Sequence, residues 1–159
     1  MVSQIKEHCQ LLSTAHRVLD GEEHTYLSDA GRRLKAFRLR SKKDDEVMYS
    51  ATHLNHPSAI WARSNRSCYE YLYKLTIALC DEYSYRYGKI HKCYSSGLLD
   101  RLAYAPENIR EGEFTEPTPA MPEEYIVRGD SVESYRRYYM GAKRNIAAWK
   151  DRPIPYWYE

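Results

Sequence analysis

A chain of 159 residues with 43% hydrophobic side chains can bury one core but is too short for two ordinary domains, so a single domain spanning 1–159 is the expectation. A formal net charge of +2 does not by itself imply a polyanionic partner, and any electrostatic function must come from uneven placement of charge. The four cysteines form no Cys-x-x-Cys pair and read as reduced core residues of a cytoplasmic protein, and no apolar run is long enough to span a bilayer.

From Val2 to Asp20 the residues Ile5, Cys9, Leu12 and Leu19 recur at helical spacing, and Gly21 offers a left-handed cap; a first helix is predicted. Residues 29–39 read as a short basic helix or a mobile connection. The run Arg32 to Lys43 holds seven cations in twelve residues, and Asp44, Asp45 and Glu46 cancel part of them. It is either a solvated basic turn or an arm that touches phosphates. Pro57 fits the first turn of a short helix through Ile60 and Trp61, and Ser67-x-x-Glu70 resembles a capping box opening a long helix from Cys68 to Tyr87. Its expected buried stripe is Cys68, Leu72, Leu75, Leu79 and Tyr83, widened by Tyr69, Tyr73 and Ile77, with Gly88 as the stop.

Four prolines between 106 and 122 predict a long ordered loop, about 89–130, broken by one short helix near Leu98 to Ala103. Asp130-x-x-Glu133 predicts a last helix from Ser131 to Trp149, and the aromatic tail 150–159 cannot continue it past Pro153. Strand alternation is nearly absent. The expected fold class is mainly α, a compact single-domain helical bundle with a long Pro-rich ordered loop.

Sixteen tyrosines against two phenylalanines put many polar-ended rings at the surface or along a groove. Cations and flat rings together are what a nucleic-acid or nucleotide site needs. Trp61 and Tyr87 are candidates for stacking, and Arg63, Arg86, Lys89, His91 and Lys143 for phosphate or base contacts. Glu82 stands among these groups, His56 precedes them, and His16 lies one turn from Asp20 on the first helix. Glu82, His56 and His16 are therefore the candidate proton-handling residues. His53 and His56 read as a structural or base-contacting pair rather than as metal ligands; neither a metal nor a cofactor is expected. No Walker or Rossmann loop, nucleophile elbow, zinc-deaminase signature or kinase motif set occurs.

The strings CQLLSTAHRVLDG at 9–21, NHPSAIWARSNRSCYEYLYKL at 55–75, LCDEYSYRYGKIH at 79–91, AMPEEY at 120–125, and GDSVESYRRYYMGAK to WKDRPIPYW resemble a small, uncharacterised protein family of tailed bacteriophages. That resemblance implies work in the cytoplasm of an infected bacterium. Members of that family usually carry an Asp-Lys-His element before the first helix, so the resemblance implies, as an expectation, that Met1 is a late start. More distantly, His56 ahead of Ile60-Trp61, the long helix ending in RYGK, and the tail RPIPYWYE resemble the phage pyrimidine-dimer DNA glycosylases of the endonuclease V type. Those enzymes use an N-terminal amine and an acid on the first helix. This chain has Met1-Val2 in place of their Thr start and only Glu7 in the helix's early turns.

The resulting expectation is a phage DNA-processing protein that binds DNA, modified or damaged, and acts on a base, as a glycosylase/lyase-like enzyme or in base hypermodification. The competing expectations are a non-enzymatic phage protein that binds a host or defence factor, and an enzyme acting on free nucleotides. No membrane partner is expected.

Overall fold

The structure is a computed structural model and describes residues 1–158. In chain order it contains α1 (Val2–Asp20), β1 (Glu22–Leu27), β2 (Arg33–Arg38), α2 (Lys42–Val47), α3 (Pro57–Ala62), α4 (Arg66–Tyr87), α5 (Lys92–Ser95), α6 (Leu98–Leu102) and α7 (Ser131–Met140). Its contacts divide it into two compact units, Met1–Phe114 and a second beginning at Thr115.

The all-helical bundle expected from sequence is corrected by a β-hairpin. The chain is 51% helix and 8% strand, a mixed α/β protein that is mainly helical. β1 and β2 pair antiparallel from Glu22 opposite Arg38 to Leu27 opposite Arg33. The turn between them closes with Gly31 N–H on the Ser28 carbonyl and Ser28 N–H on the Arg32 carbonyl. The strands escaped sequence reading because neither face is buried: every residue of β1 is exposed, so no apolar alternation marks them.

In the first unit the core forms where α1 meets α3, α4 and α6. Ile5, Cys9 and Leu12 of α1 are fully buried among Tyr69 and Leu72 of α4 and Leu98, Leu99 and Leu102 of α6. The buried side of α4 differs from the expected stripe. It is Cys68, Tyr69, Leu72, Thr76 and Cys80, while Leu75 is 40% exposed. Thr76 can replace a leucine there because its hydroxyl donates to the Leu72 carbonyl at 2.7 Å, which satisfies the polar atom inside the helix itself. The cap also moves: Asn65 Oδ1 accepts from Cys68 N–H at 3.0 Å, and Ser67 instead donates to the Gly112 carbonyl. Among the described residues no helix is long and apolar enough to cross a membrane.

In the second unit Asp130 caps α7 by accepting from Glu133 N–H at 2.8 Å. The helix ends at Met140, nine residues short of Trp149, with Gly141 as its C-cap, and the Tyr125 ring lies so close there that a Cβ would come within 2.5 Å of it. Trp149, Trp157 and Tyr158 then meet edge to face.

Leu72→Ala should cost about 2–5 kcal/mol in denaturant unfolding, whereas Leu75→Ala should cost under about 1 kcal/mol. Equal losses at the two positions would contradict the burial of α4.

Candidate functional site

A cleft of about 500 Å³ in the first unit is lined by His16 and Asp20 of α1, by Leu39, Arg40, Ser41, Asp44 and Met48, by Arg101 of α6, and by Tyr104, Ala105, Glu107 and Asn108. His16 is buried in its wall. Nε2 lies 2.9 Å from the Tyr69 hydroxyl, and Nδ1 lies 4.0 Å from Asp20 Oδ2. Tyr69 has one hydroxyl hydrogen and gives it to the Leu102 carbonyl at 2.9 Å. His16 Nε2 must then carry the hydrogen of the pair, which leaves the Nδ1 lone pair on the Asp20 side.

Burial lowers the His16 pKa from its ordinary value, and the Asp20 carboxylate and the Tyr104 carbonyl only partly oppose this. The ring is neutral at neutral pH and able to accept a proton. Burial also raises the Tyr69 pKa, so its hydroxyl stays protonated. Asp20 sits in the last turn of α1, where the helix dipole disfavours an acid. Its carboxylate is held by the opposite wall of the cleft: it accepts from the backbone N–H groups of Glu107 and Asn108 at 2.8 and 2.9 Å, and from Asn108 Nδ2 at 3.0 Å. Arg101 Nε lies 2.6 Å from Asp44 Oδ1, exposed Arg40 stands on the same wall, and Tyr104 is 77% exposed.

The other sequence candidates fall elsewhere. His56 lines a second cleft of about 450 Å³ with Glu7, Gln10, Leu11, His53 and Ser58. Glu7 and His16 are nine positions apart on α1, about half a turn around its axis, so the two clefts open on different sides of that helix. His56 Nδ1 accepts from Ser58 N–H and caps α3. Trp61 packs edge-on against Tyr71 and Phe114. Arg63 donates to the Leu54 carbonyl at 2.7 Å, and burial lowers its pKa. Glu82 and Arg86 hold one another at 2.6 Å, about 16 Å along α4 from Tyr71. Tyr87 stacks obliquely on Tyr83, whose ring also meets buried His91 edge-on. His91 caps α5, and Lys89 is exposed just past the α4 terminus. Lys143 belongs to the second unit, with Nζ 5.2 Å from the Tyr138 ring. Among the described residues no three His, Cys, Asp or Glu side chains gather as a metal site requires.

Sequence reasoning singled out His16 but not Tyr69, Asp44, Arg101 or Tyr104. Tyr69 looked like part of a buried stripe, and the others come from segments whose approach no local pattern announces. No family model matches the chain, and neither the curated proteins nor the solved structures yield a match.

His8 and His16 both have pKa values lowered by burial from 6.5, so the unfolded chain binds protons more readily than the folded one. Stability is complete above that value and is lost as pH falls below it. The denaturation midpoint should therefore drop between pH 7 and pH 5, and His16→Gln should flatten that drop. An unchanged pH slope in the variant would show that His16 does not titrate as a buried group.

Proposed function

We propose that the chain takes a DNA base into the His16 cleft and handles a proton there, releasing the base or modifying it. One observation carries this reading: a neutral imidazole, fixed by Tyr69 and flanked by Asp20, opens onto a cleft of about 500 Å³ whose walls carry Arg40, Arg101 and the exposed ring of Tyr104. That volume suits a nucleotide. An unstacked base would lie against Tyr104, and Arg40 would neutralise a phosphate that comes with it, Arg101 being held by Asp44. DNA is taken as the polymer from the distant resemblance to the phage pyrimidine-dimer DNA glycosylases. Chemistry is assigned to His16 rather than to Glu82 or His56, because Glu82 is committed to Arg86 and His56 to the α3 cap.

In base release, His16 Nδ1 removes a proton from water, and the water oxygen attacks C1′ of the sugar. The C1′–N bond breaks with its electron pair going to the base, which then takes up the proton that His16 removed from the water, so the imidazole returns to its neutral form. Asp20, 4.0 Å from Nδ1, stabilises the imidazolium formed in that step.

The test is incubation of the purified protein with ultraviolet-treated and base-modified duplexes, scored for free bases and alkali-labile strand breaks. Wild type should give product, and His16→Ala should lower turnover about 10²–10⁴-fold while DNA affinity stays within a few-fold. Undiminished turnover in His16→Ala would overturn the assignment of the site. Absence of both product and affinity for DNA would favour the interaction-protein reading, and action on free nucleotides alone would move the substrate class to monomers.

A further inference from the structure

We propose that the β1–β2 hairpin is an arm that docks the protein on the backbone and major groove of duplex DNA. The inference rests on the reading of the protein as one that acts on DNA, and it names the surface that recruits the polymer.

The hairpin stands clear of the core. All six residues of β1 are exposed, as are Arg33 to Lys35 of β2, and an isolated two-stranded ribbon of this kind has little stability of its own. It is fixed only at its base, where Arg17 Nη1 donates to the Phe37 carbonyl at 2.7 Å and where Leu39 is buried. Six residues per strand extend it by about 20 Å.

Its charge is one-sided. Arg32, Arg33, Lys35, Arg38, Arg40, Lys42 and Lys43 are all exposed. Among the described residues only Lys35 and Lys42 of these seven make ion pairs, with Glu23 and Glu46, and the latter spans 3.9 Å. Charge placed merely to keep sheet edges from pairing needs no particular sign. Here every charged residue of the second strand is a cation, Arg32 adjoins it in the turn, and the acids are Asp29 in the turn and Glu22 and Glu23 at the base. The register gives the two faces different chemistry. Glu23, Thr25, Leu27, Arg33, Lys35 and Phe37 share one face, while Glu22, His24, Tyr26, Leu34, Ala36 and Arg38 share the other, with Tyr26 47% and Leu34 40% exposed. Side chains alternate along each strand, so the outer half of the ribbon presents Arg33 and Lys35 for phosphates on one side and Tyr26 and Leu34 for base edges on the other.

A two-stranded ribbon fits the major groove, about 12 Å wide. β2 also runs directly into Leu39, Arg40 and Ser41, which line the His16 cleft. A duplex held by the arm would thus lie beside the recess meant for its base.

The decisive experiment measures affinity of the full chain for a short duplex across salt concentrations. It compares wild type, the triple variant Arg32→Ala/Arg33→Ala/Lys35→Ala, and a charge-matched control, Arg128→Ala/Arg144→Ala/Lys150→Ala, in the second unit. The arm variant should weaken duplex binding at least 10-fold at moderate salt and reduce the log–log salt slope by about one unit per lost phosphate contact. The control should change it much less, and the arm variant should lose less affinity for a single strand than for the duplex. Unfolding midpoints like that of wild type show that both variants remain folded. Wild-type binding matched in affinity and slope by the arm variant would overturn the arm while leaving base processing in the cleft intact, as would an equal loss in the control. Failure of the wild type to bind duplex at low salt would overturn the arm together with the function on which it rests.

Discussion

One buried guanidinium organises the first unit. Arg17 is 6% exposed, and its five N–H donors find five acceptors: Nε the Tyr49 carbonyl, Nη1 the Phe37 carbonyl and Asp45 Oδ1, and Nη2 the carbonyls of Asp45 and Met48. Burying a charge is expensive unless it is paired and hydrogen-bonded, and here both conditions hold. Four of the five acceptors are backbone carbonyls, those of Phe37 in β2, Asp45 in α2, and Met48 and Tyr49 just beyond α2. A lysine could not replace the arginine, because three donors on one nitrogen cannot span carbonyls spread around a planar fork. Asp45 completes the centre: Oδ1 also accepts from Leu39 N–H, and that bond, with the Arg17 pair, holds its carboxyl below the ordinary value.

The cleft follows from this anchor and two others on the same stretch of α1. Arg17 straps residues 37–49 to the helix, Asp20 straps the backbone at 107–108, and His16 reaches Tyr69 on α4. Three separate segments are thereby brought around His16 by consecutive turns of a single helix. The same residue that fixes the cleft wall at Met48 also holds the base of the hairpin at Phe37, so the recess and the ribbon are parts of one construction. Arg101 adds a further tie from α6 to Asp44, the neighbour of Asp45.

The long helices were legible because their burial is periodic and their caps are chemical: α1 runs from Val2 to Asp20, and Asp130 caps α7. The hairpin was not, since its residues face solvent on both sides and the cross-strand register carries the only signal. Gly21 illustrates a correct boundary reached for the wrong reason. It was expected to adopt a left-handed cap, but its φ is −88° and glycine is needed because a Cβ would run into the Arg17 carbonyl oxygen. Leu75 and Thr76 exchanged roles because a threonine that bonds to its own helix can be buried, which hydropathy does not anticipate. In the site, His16 stood out as a titratable group on a helix face, whereas Arg17 beside it looked like ordinary surface charge. Five partners 20 to 32 positions away leave no trace in local sequence.

Hydrogen exchange of backbone amides in Arg17→Lys, compared with wild type, tests the organising role of this residue most directly. Lysine keeps the charge but cannot reach all the acceptors. Peptides covering 22–49 should lose protection while those covering α4 from 66 to 80 keep theirs, because the α1–α4 core does not depend on the guanidinium. Unchanged protection across 22–49, or an equal loss over both regions, would contradict the dependence of the hairpin and the cleft wall on Arg17.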